Sequence, residues 1–177
     1  MIKFIRNSKL EIIKDDITKQ DTDAIVNAAN QYLSPGGGVS GAIHRAAGAG
    51  LAEECRKLGG CKTGEAKITK GYNLKAKYVI HTVGPVYSGS DMDKINLAKC
   101  YKNSLLIAKQ NKLKSISFPS ISTGIFGYPV EEAAEIALKT IYDFLKENSE
   151  IQLVRMVLYS QKDYEIYETT ATKIIKT

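Results

Sequence analysis

The pattern of hydrophobic and polar positions predicts strands and helices that alternate along the chain. Residues 24–28 are apolar at nearly every position, as in a strand covered on both faces. The next apolar positions have helical spacing and predict a helix: Val39, Ala42, Ile43, Ala46 and Ala47. Further strands are predicted at 2–6, 9–14, 65–70, 78–83, 114–122 and 153–160, and helices at 51–58, 95–110, 163–175 and after Pro129. This order predicts an α/β fold of three layers, with helices flanking a mixed central sheet.

The loop after the strand at 24–28 has the composition of an anion-binding loop. It contains Gly36, Gly37 and Gly38, whose N–H groups can turn toward one ligand because no side chains intervene. The helix that follows adds free N–H groups and the positive end of its dipole. Residues 29–35 separate the strand from the glycines, unlike the tight turn of a NAD-binding dehydrogenase fold. The loop therefore predicts a phosphate site, and a simple turn is the alternative.

A second strand, glycine loop and helix start follows at residues 114–129. Gly124 and Gly127 enclose Phe126 in this loop, and two such loops at one sheet edge would suit a diphosphate. Phe126 either lies against a sugar or packs the loop onto the core. Tyr159, at the end of the last strand, either stacks on a base or packs at the edge of the core.

Acidic and histidine side chains next to strands have both functional and structural interpretations. Asp15 and Asp16 follow the strand at 9–14, where they either face a ligand or cap the next turn. His81 lies within an apolar strand and is predicted to be a packed, hydrogen-bonded histidine.

Composition limits the class of protein and its environment. The length predicts one domain at 1–177, and 44% hydrophobic with 25% charged residues is typical of a soluble globular protein. No window approaches the roughly 18 apolar residues of a membrane span and no signal segment is recognised, so a cytoplasmic location without membrane contact is predicted. Cys55, Cys61 and Cys100 form no C-x-x-C pair, so we expect reduced thiols and no metal or cofactor. The net charge of +6 favours anionic partners, but the lysines are scattered.

Several motifs, in the same order along nearly the whole chain, resemble the macrodomains, a family of ADP-ribose-binding modules. Within that family the sequence is similar to the MacroD type, which includes bacterial O-acetyl-ADP-ribose deacetylases. The motifs occupy residues 16–18, 25–30, 36–39, 42–48, 63–69, 76–85 and 120–129.

The resemblance implies a role for each motif. Asp16 would accept a hydrogen bond from the adenine amino group, with Ile17 beside it and Tyr159 packing on the base. Asn30 would orient the hydroxyls of the distal ribose. The diphosphate and distal ribose would be held by Gly37, Gly38 and Val39 of the first loop and by Ser122, Thr123, Gly124, Ile125 and Phe126 of the second.

The resemblance also implies a hydrolytic reaction, in which water removes an acyl group from the distal ribose or releases mono-ADP-ribose from an acidic protein side chain. The MacroD type has an aspartate after Gly-Gly-Gly-Val that is taken to activate this water, and the present chain has Ser40 there. A neutral hydroxyl cannot act as a carboxylate base. Family members without this aspartate keep hydrolase activity, so a hydrolase of reduced rate is predicted, with Asn30, Ser40 and His44 as its catalytic residues. His44 either orients the site or packs as a structural histidine under the loop.

Three hypotheses follow for function and partners. The first is a hydrolase acting on O-acyl or protein-linked ADP-ribose, including ADP-ribosylated proteins, as a monomer. The second, motivated by Ser40, is a non-catalytic module that reads ADP-ribose. The third is an RNA-interacting protein, which only the basic charge suggests.

Overall fold

A computed structural model of the chain describes residues 1–176. The strands are β1 (Ile2–Ile5), β2 (Ser8–Lys14), β3 (Ala24–Ala28), β4 (Ala66–Lys70), β5 (Tyr78–Thr82), β6 (Ser115–Phe118) and β7 (Leu153–Leu158). The helices are α1 (Gly38–Ala47), α2 (Ala49–Lys57), α3 (Asp91–Gln110), α4 (Val130–Glu147) and α5 (Gln161–Ile174), with a short 3-10 helix at Ile17–Lys19.

All the strands form one mixed sheet in the order β1-β2-β7-β6-β3-β5-β4. The neighbours from β2 to β5 are parallel, and the two outer pairs, β1 with β2 and β4 with β5, are antiparallel. Parallel strands bring their carboxyl ends to the same edge of the sheet. The segments that follow β2, β3, β5, β6 and β7 therefore meet at that edge.

Each face of the sheet carries its own hydrophobic core. One core contains buried residues of α3, α4 and α5, and the other contains buried residues of α1 and α2. Strand β3 contributes to both, because Ala24 and Val26 lie in the first core and Ile25 in the second. The predicted three-layer α/β architecture with a mixed central sheet is thus confirmed.

Several predicted boundaries were wrong. Helix α3 begins at Asp91 rather than at residue 95, and the apolar side chain of Ile95 is 47% exposed. Strand β6 ends at Phe118 rather than at residue 122, because Pro119 follows and has no N–H to continue the ladder. Strand β7 ends at Leu158, one residue before Tyr159.

Two further findings concern the cysteines and the helices. Cys55, Cys61 and Cys100 are free and buried, and burial raises the pKa of the Cys55 thiol to about 11. Within residues 1–176, no helix is both long and apolar enough to cross a membrane.

Candidate active site

Two adjoining cavities form a cleft at the carboxyl edge of the sheet. The first, of about 230 Å³, lies between the segment after β3 (loop A, residues 29–37) and the segment after β6 (loop B, residues 119–129). The second, of about 590 Å³, continues toward the ends of β2 and β7. Gly38, Val39 and Gly124 line both cavities. The structure therefore brings the two predicted glycine loops together around one cleft.

The start of helix α1 forms one wall of this cleft. Gly37 is the N-cap residue, so no side chain bonds to the first N–H groups of the helix. Gly38 has a φ of 54°, in the region that favours glycine, and residues 36–38 are exposed. This geometry leaves backbone donors and the positive helix end open to an anion.

Asn30 shapes loop A with its own side chain. Its Oδ1 accepts hydrogen bonds from the backbone N–H groups of Tyr32 (3.0 Å) and Ser34 (3.2 Å), and its Nδ2 donates to Ser34 O (2.9 Å). A Cβ built on Gly36 would lie 3.5 Å from Asn30 Nδ2 and 4.0 Å from Ser40 Oγ. Asn30 and Ser40 therefore both lie beside Gly36. One N–H of the Asn30 amide is left for another acceptor.

Ser40 and His44 are buried behind loop A without protein partners. Within the described chain, Ser40 Oγ and both ring nitrogens of His44 form no hydrogen bond. Burial lowers the pKa of His44, which is consequently neutral at pH 7. The linings of the two cavities include neither of these residues nor Asn30. The predicted catalytic residues thus border the cleft instead of forming its lining.

His81 has the structural role that the sequence predicts. It is fully buried in β5, with Nδ1 3.1 Å from Asn27 Nδ2 and Nε2 2.9 Å from Thr69 Oγ1. Burial lowers its pKa to about 3, so it stays neutral. Both ring nitrogens have hydrogen-bond partners within the sheet, so the prediction that His81 is a packed, hydrogen-bonded histidine is confirmed.

Loop B forms the opposite wall and combines exposure with backbone strain. Ser122 has a φ of 67°, which is uncommon for a residue with a side chain. Ile125 is 99% exposed, while Phe126 is half-buried and its carbonyl accepts a hydrogen bond from Tyr87 N (2.9 Å). Phe126 has partial contact with the protein and partial exposure to the cleft, so both interpretations of this residue remain open.

The far end of the cleft carries a fixed carboxylate. Asp16 Oδ1 accepts hydrogen bonds from Thr18 N (2.9 Å) and Thr18 Oγ1 (2.7 Å), and these bonds hold the pKa of Asp16 below its usual value. Asp16 is thus the cap of the 3-10 helix, as one interpretation predicted. Within residues 1–176 its Oδ2 has no hydrogen bond, so one oxygen is available to a ligand N–H.

Ile17 and Tyr159 lie beside Asp16 in the lining of the larger cavity. Tyr159 is 86% exposed, so its alternative role as packing at the core edge was wrong. Its exposed ring and the nearby carboxylate suit a planar group with a hydrogen-bond donor.

Several residues of the cleft were missed at the sequence level, among them Gly84, Ser120 and Arg45. Gly84 lines the smaller cavity, and a Cβ there would clash with Ser122 Oγ, so a glycine is needed for loop B to approach the end of β5. Ser120 lines the same cavity, and the exposed Arg45 lines the larger one. Of these residues, the sequence could have indicated only Arg45. A long side chain on a helix points toward the helix N-terminus, which here is the direction of loop A.

Comparison with known proteins identifies relatives of this chain. The Macro domain family model matches residues 26–137. A macro domain-containing protein of Chlorobaculum tepidum is 55% identical over 92% of this chain and 95% of its own length. The human ADP-ribose glycohydrolase MACROD2 is 51% identical over 94% of this chain, which spans only 40% of that longer protein.

Solved structures show the same relationship at the level of the fold. A point mutant of the Oceanobacillus iheyensis macrodomain, determined with ADPR, matches all of this chain and 99% of its own with a TM-score of 0.97 and 47% identity. A Trypanosoma brucei macrodomain in complex with ADP-ribose has a TM-score of 0.87 at 43% identity, over 90% of this chain and 68% of its own. With its sheet order, its paired loops and these matches taken together, the chain belongs to the macrodomain family.

Proposed function

We propose that this macrodomain binds ADP-ribose in the cleft between loops A and B and hydrolyses a group on its distal ribose. One observation carries the proposal: the carboxylate of Asp16, with one free oxygen, and both glycine-lined loops face one cleft, and Asn30 and Ser40 lie beside Gly36 at its border. These parts have the order of an adenine, a diphosphate and a distal ribose. The similarity to a structure with ADPR and to an ADP-ribose glycohydrolase supports the same assignment.

In the proposed pose, each end of the ligand meets a different chemistry. Asp16 Oδ2 accepts a hydrogen bond from the adenine amino group, with Ile17 and Tyr159 against the base. The phosphates lie between the start of helix α1 (Gly37, Gly38 and Val39) and loop B (Ser122, Thr123, Gly124, Ile125 and Phe126). The free N–H of Asn30 orients the hydroxyls of the distal ribose.

The reaction follows from the residues around that ribose. For an O-acetyl ester, water adds to the carbonyl carbon, the bond to the ribose oxygen breaks, and that oxygen leaves as a hydroxyl group. Asn30, Ser40 and the phosphate oxygens of the ligand hold the water. Among the described residues His44 has no hydrogen-bond partner, and it is neutral, which fits it to order this site. In release of ADP-ribose from an acidic protein side chain, the same water adds to the anomeric carbon of the distal ribose. The bond from that carbon to the carboxyl oxygen breaks, and the side chain leaves as a carboxylate.

Ser40 determines how fast this chemistry proceeds. A serine hydroxyl does not accept a proton as a carboxylate does, and a general base accelerates such steps by about 10² to 10⁴. The proposed enzyme is consequently slower than a relative with an aspartate there. The same observation favours a second candidate function, a module that binds ADP-ribose without turnover.

Assays of the purified protein on O-acetyl-ADP-ribose and on a protein carrying ADP-ribose on glutamate or aspartate separate these candidates. We expect hydrolysis by the wild type, little by Asn30→Ala, and a gain of at least tenfold in kcat for Ser40→Asp, since a carboxylate base is restored. Calorimetry should give a micromolar Kd, equivalent to about −8 kcal/mol. Binding without turnover of either substrate would favour the reader, and equal rates for wild type and Asn30→Ala would contradict the hydrolase.

A further inference from the structure

Two tyrosines from distant parts of the chain form hydrogen bonds with loop B through their hydroxyl groups. Tyr101 on α3 and Tyr167 on α5 are both fully buried. Neither lines the cleft, and their hydroxyl groups reach the loop from the core beneath it. The sheet and two helices are thereby connected to the segment that faces the candidate ligand.

Tyr101 bonds to the backbone on both sides of Ser120. Its hydroxyl donates to Pro119 O (3.3 Å) and accepts from Ile121 N (3.1 Å). A buried N–H that loses its partner is strongly unfavourable, so this acceptor fixes the position of Ile121. The next residue, Ser122, is the one with the strained φ of 67°.

Tyr167 continues the network to the side chains of the loop. Its hydroxyl lies 2.6 Å from Ser120 Oγ, and Ser120 Oγ in turn accepts from Thr123 Oγ1 (2.9 Å). Thr123 Oγ1 also contacts Ser120 O at 3.1 Å. Burial raises the pKa of both tyrosines, that of Tyr167 to about 12, so the hydroxyls stay protonated at neutral pH.

Strained backbone persists only where the surroundings determine it. Here Ile121 N on one side of Ser122 bonds to Tyr101, and Ser122 O accepts from Tyr128 N (2.9 Å). Without the tyrosine hydroxyls, loop B would sample relaxed conformations in which Ser122 leaves the left-handed region. A ligand then binds only the competent fraction, and its apparent Kd rises accordingly.

We propose that Tyr101 and Tyr167 are positioning residues that hold loop B in its strained, ligand-ready conformation and so set the affinity for the diphosphate and distal ribose. This inference rests on the proposed function, because it requires ADP-ribose to lie against loop B. It assigns to two core residues a role in recognition that acts through Ile121, Ser120 and Thr123.

The test compares binding of ADP-ribose with binding of AMP, which has the adenine, one ribose and one phosphate but no distal ribose. Tyr101→Phe and Tyr167→Phe each remove one hydroxyl and preserve the ring. Tyr164→Phe is the matched control: Tyr164 lies on the same helix as Tyr167, and its hydroxyl donates to Glu168 (3.0 Å), away from loop B.

For each tyrosine variant we expect the Kd for ADP-ribose to rise about five- to tenfold, and the Kd for AMP to change less than about twofold. Tyr164→Phe should leave both values unchanged. A purely structural role would lower the melting temperature without changing the ratio of the two Kd values, and an unchanged ratio in both variants would overturn the proposal.

If Tyr101→Phe does not fold, Tyr167→Phe decides the question alone. Failure of the wild type to bind ADP-ribose would overturn the proposed function itself, whereas binding by the wild type with equal affinity in the variants overturns only this inference.

Discussion

At the residue scale, the polar side chains of the site divide into bonded and unpaired groups. Asp16 and Asn30 use part of their hydrogen-bonding capacity to shape their own loops, and Oδ2 of Asp16 and one N–H of the Asn30 amide are left for a ligand. Ser40 Oγ and the ring of His44 are buried without partners in the described chain. Each such group costs about 1–3 kcal/mol of folding free energy, a cost that proteins retain where polar groups serve a function. Ser122 Oγ of loop B is also unpaired among the described residues, so such groups lie on both sides of the cleft.

The two histidines of the chain predict a loss of stability on mild acidification. Burial lowers both pKa values below the ordinary 6.5, that of His81 to about 3. The unfolded chain therefore binds protons that the folded chain does not, so stability is fully present above about pH 6.5 and declines below it. Between about pH 6 and pH 5 the free energy of unfolding should fall by up to about 1.4 kcal/mol per pH unit because of His81, and His44 contributes a loss of the same sign.

Urea denaturation at a series of pH values measures this slope, and His81→Gln is the informative variant. Glutamine does not titrate, so the chain should take up about one proton fewer on unfolding. The slope of the unfolding free energy against pH should fall accordingly. Asp16 and Asp93 have lowered pKa values and lose their stabilising effect only at lower pH, outside this window. Two results would contradict the burial of neutral histidines. One is a free energy of unfolding that stays constant over this pH range in the parent, and the other is an equal slope in the parent and in His81→Gln.

At the scale of elements, the segment between β5 and α3 connects the helix start to loop B. Asp93 accepts hydrogen bonds from Ser88 N (2.7 Å) and Gly89 N (2.9 Å), and these bonds hold its pKa below the usual value. Tyr87 packs edge-on against Tyr128 and donates its N–H to Phe126 O. This segment is therefore closely bonded, and α3 begins within it at Asp91 instead of at the predicted residue 95.

Replacement of Asp93 by alanine should loosen this connection. We expect a melting temperature lower by about 3 °C, because the hydrogen bonds from Ser88 N and Gly89 N to the Asp93 carboxylate are lost at the start of the helix. Affinity for ADP-ribose should weaken severalfold, since Phe126 loses the support of the segment. Asp91→Ala is the matched control, an exposed carboxylate in the same first turn. Equal effects of the two substitutions in calorimetry would show that Asp93 has no special role.

At the scale of the whole molecule, the sequence was informative wherever the signal was local. Helical spacing, glycine clusters and strand ends predicted the three layers and both loops, because parallel strands bring these loops to one edge whatever the details of packing. The capping role of Asp16 was one of the two interpretations that its position after the strand left open.

Long-range pairings were not predictable in this way. No local pattern indicates that Tyr101 bonds to Pro119 and Ile121, or that Gly84 leaves room for Ser122. The start of α3 was missed because the helix was predicted from its apolar positions, although the spacing of Ser90 and Asp93 resembles that of a capping box. Such contacts depend on how the elements pack, which the periodicity of one segment does not specify.

Other properties of the whole chain stay predictions. The extent of the domain as 1–177, the monomeric state and the cytoplasmic location belong to this group. The scattered positive charge leaves RNA as a hypothesis, for which strongly salt-dependent binding in competition with ADP-ribose would be required.

A crystal structure of the protein with ADP-ribose tests the central claim most directly. We expect the diphosphate between the start of α1 and loop B, the adenine beside Asp16 and Tyr159, and the distal ribose at Asn30 and Ser40. A nucleotide bound outside the cleft, or one whose phosphates contact neither loop, would contradict the account.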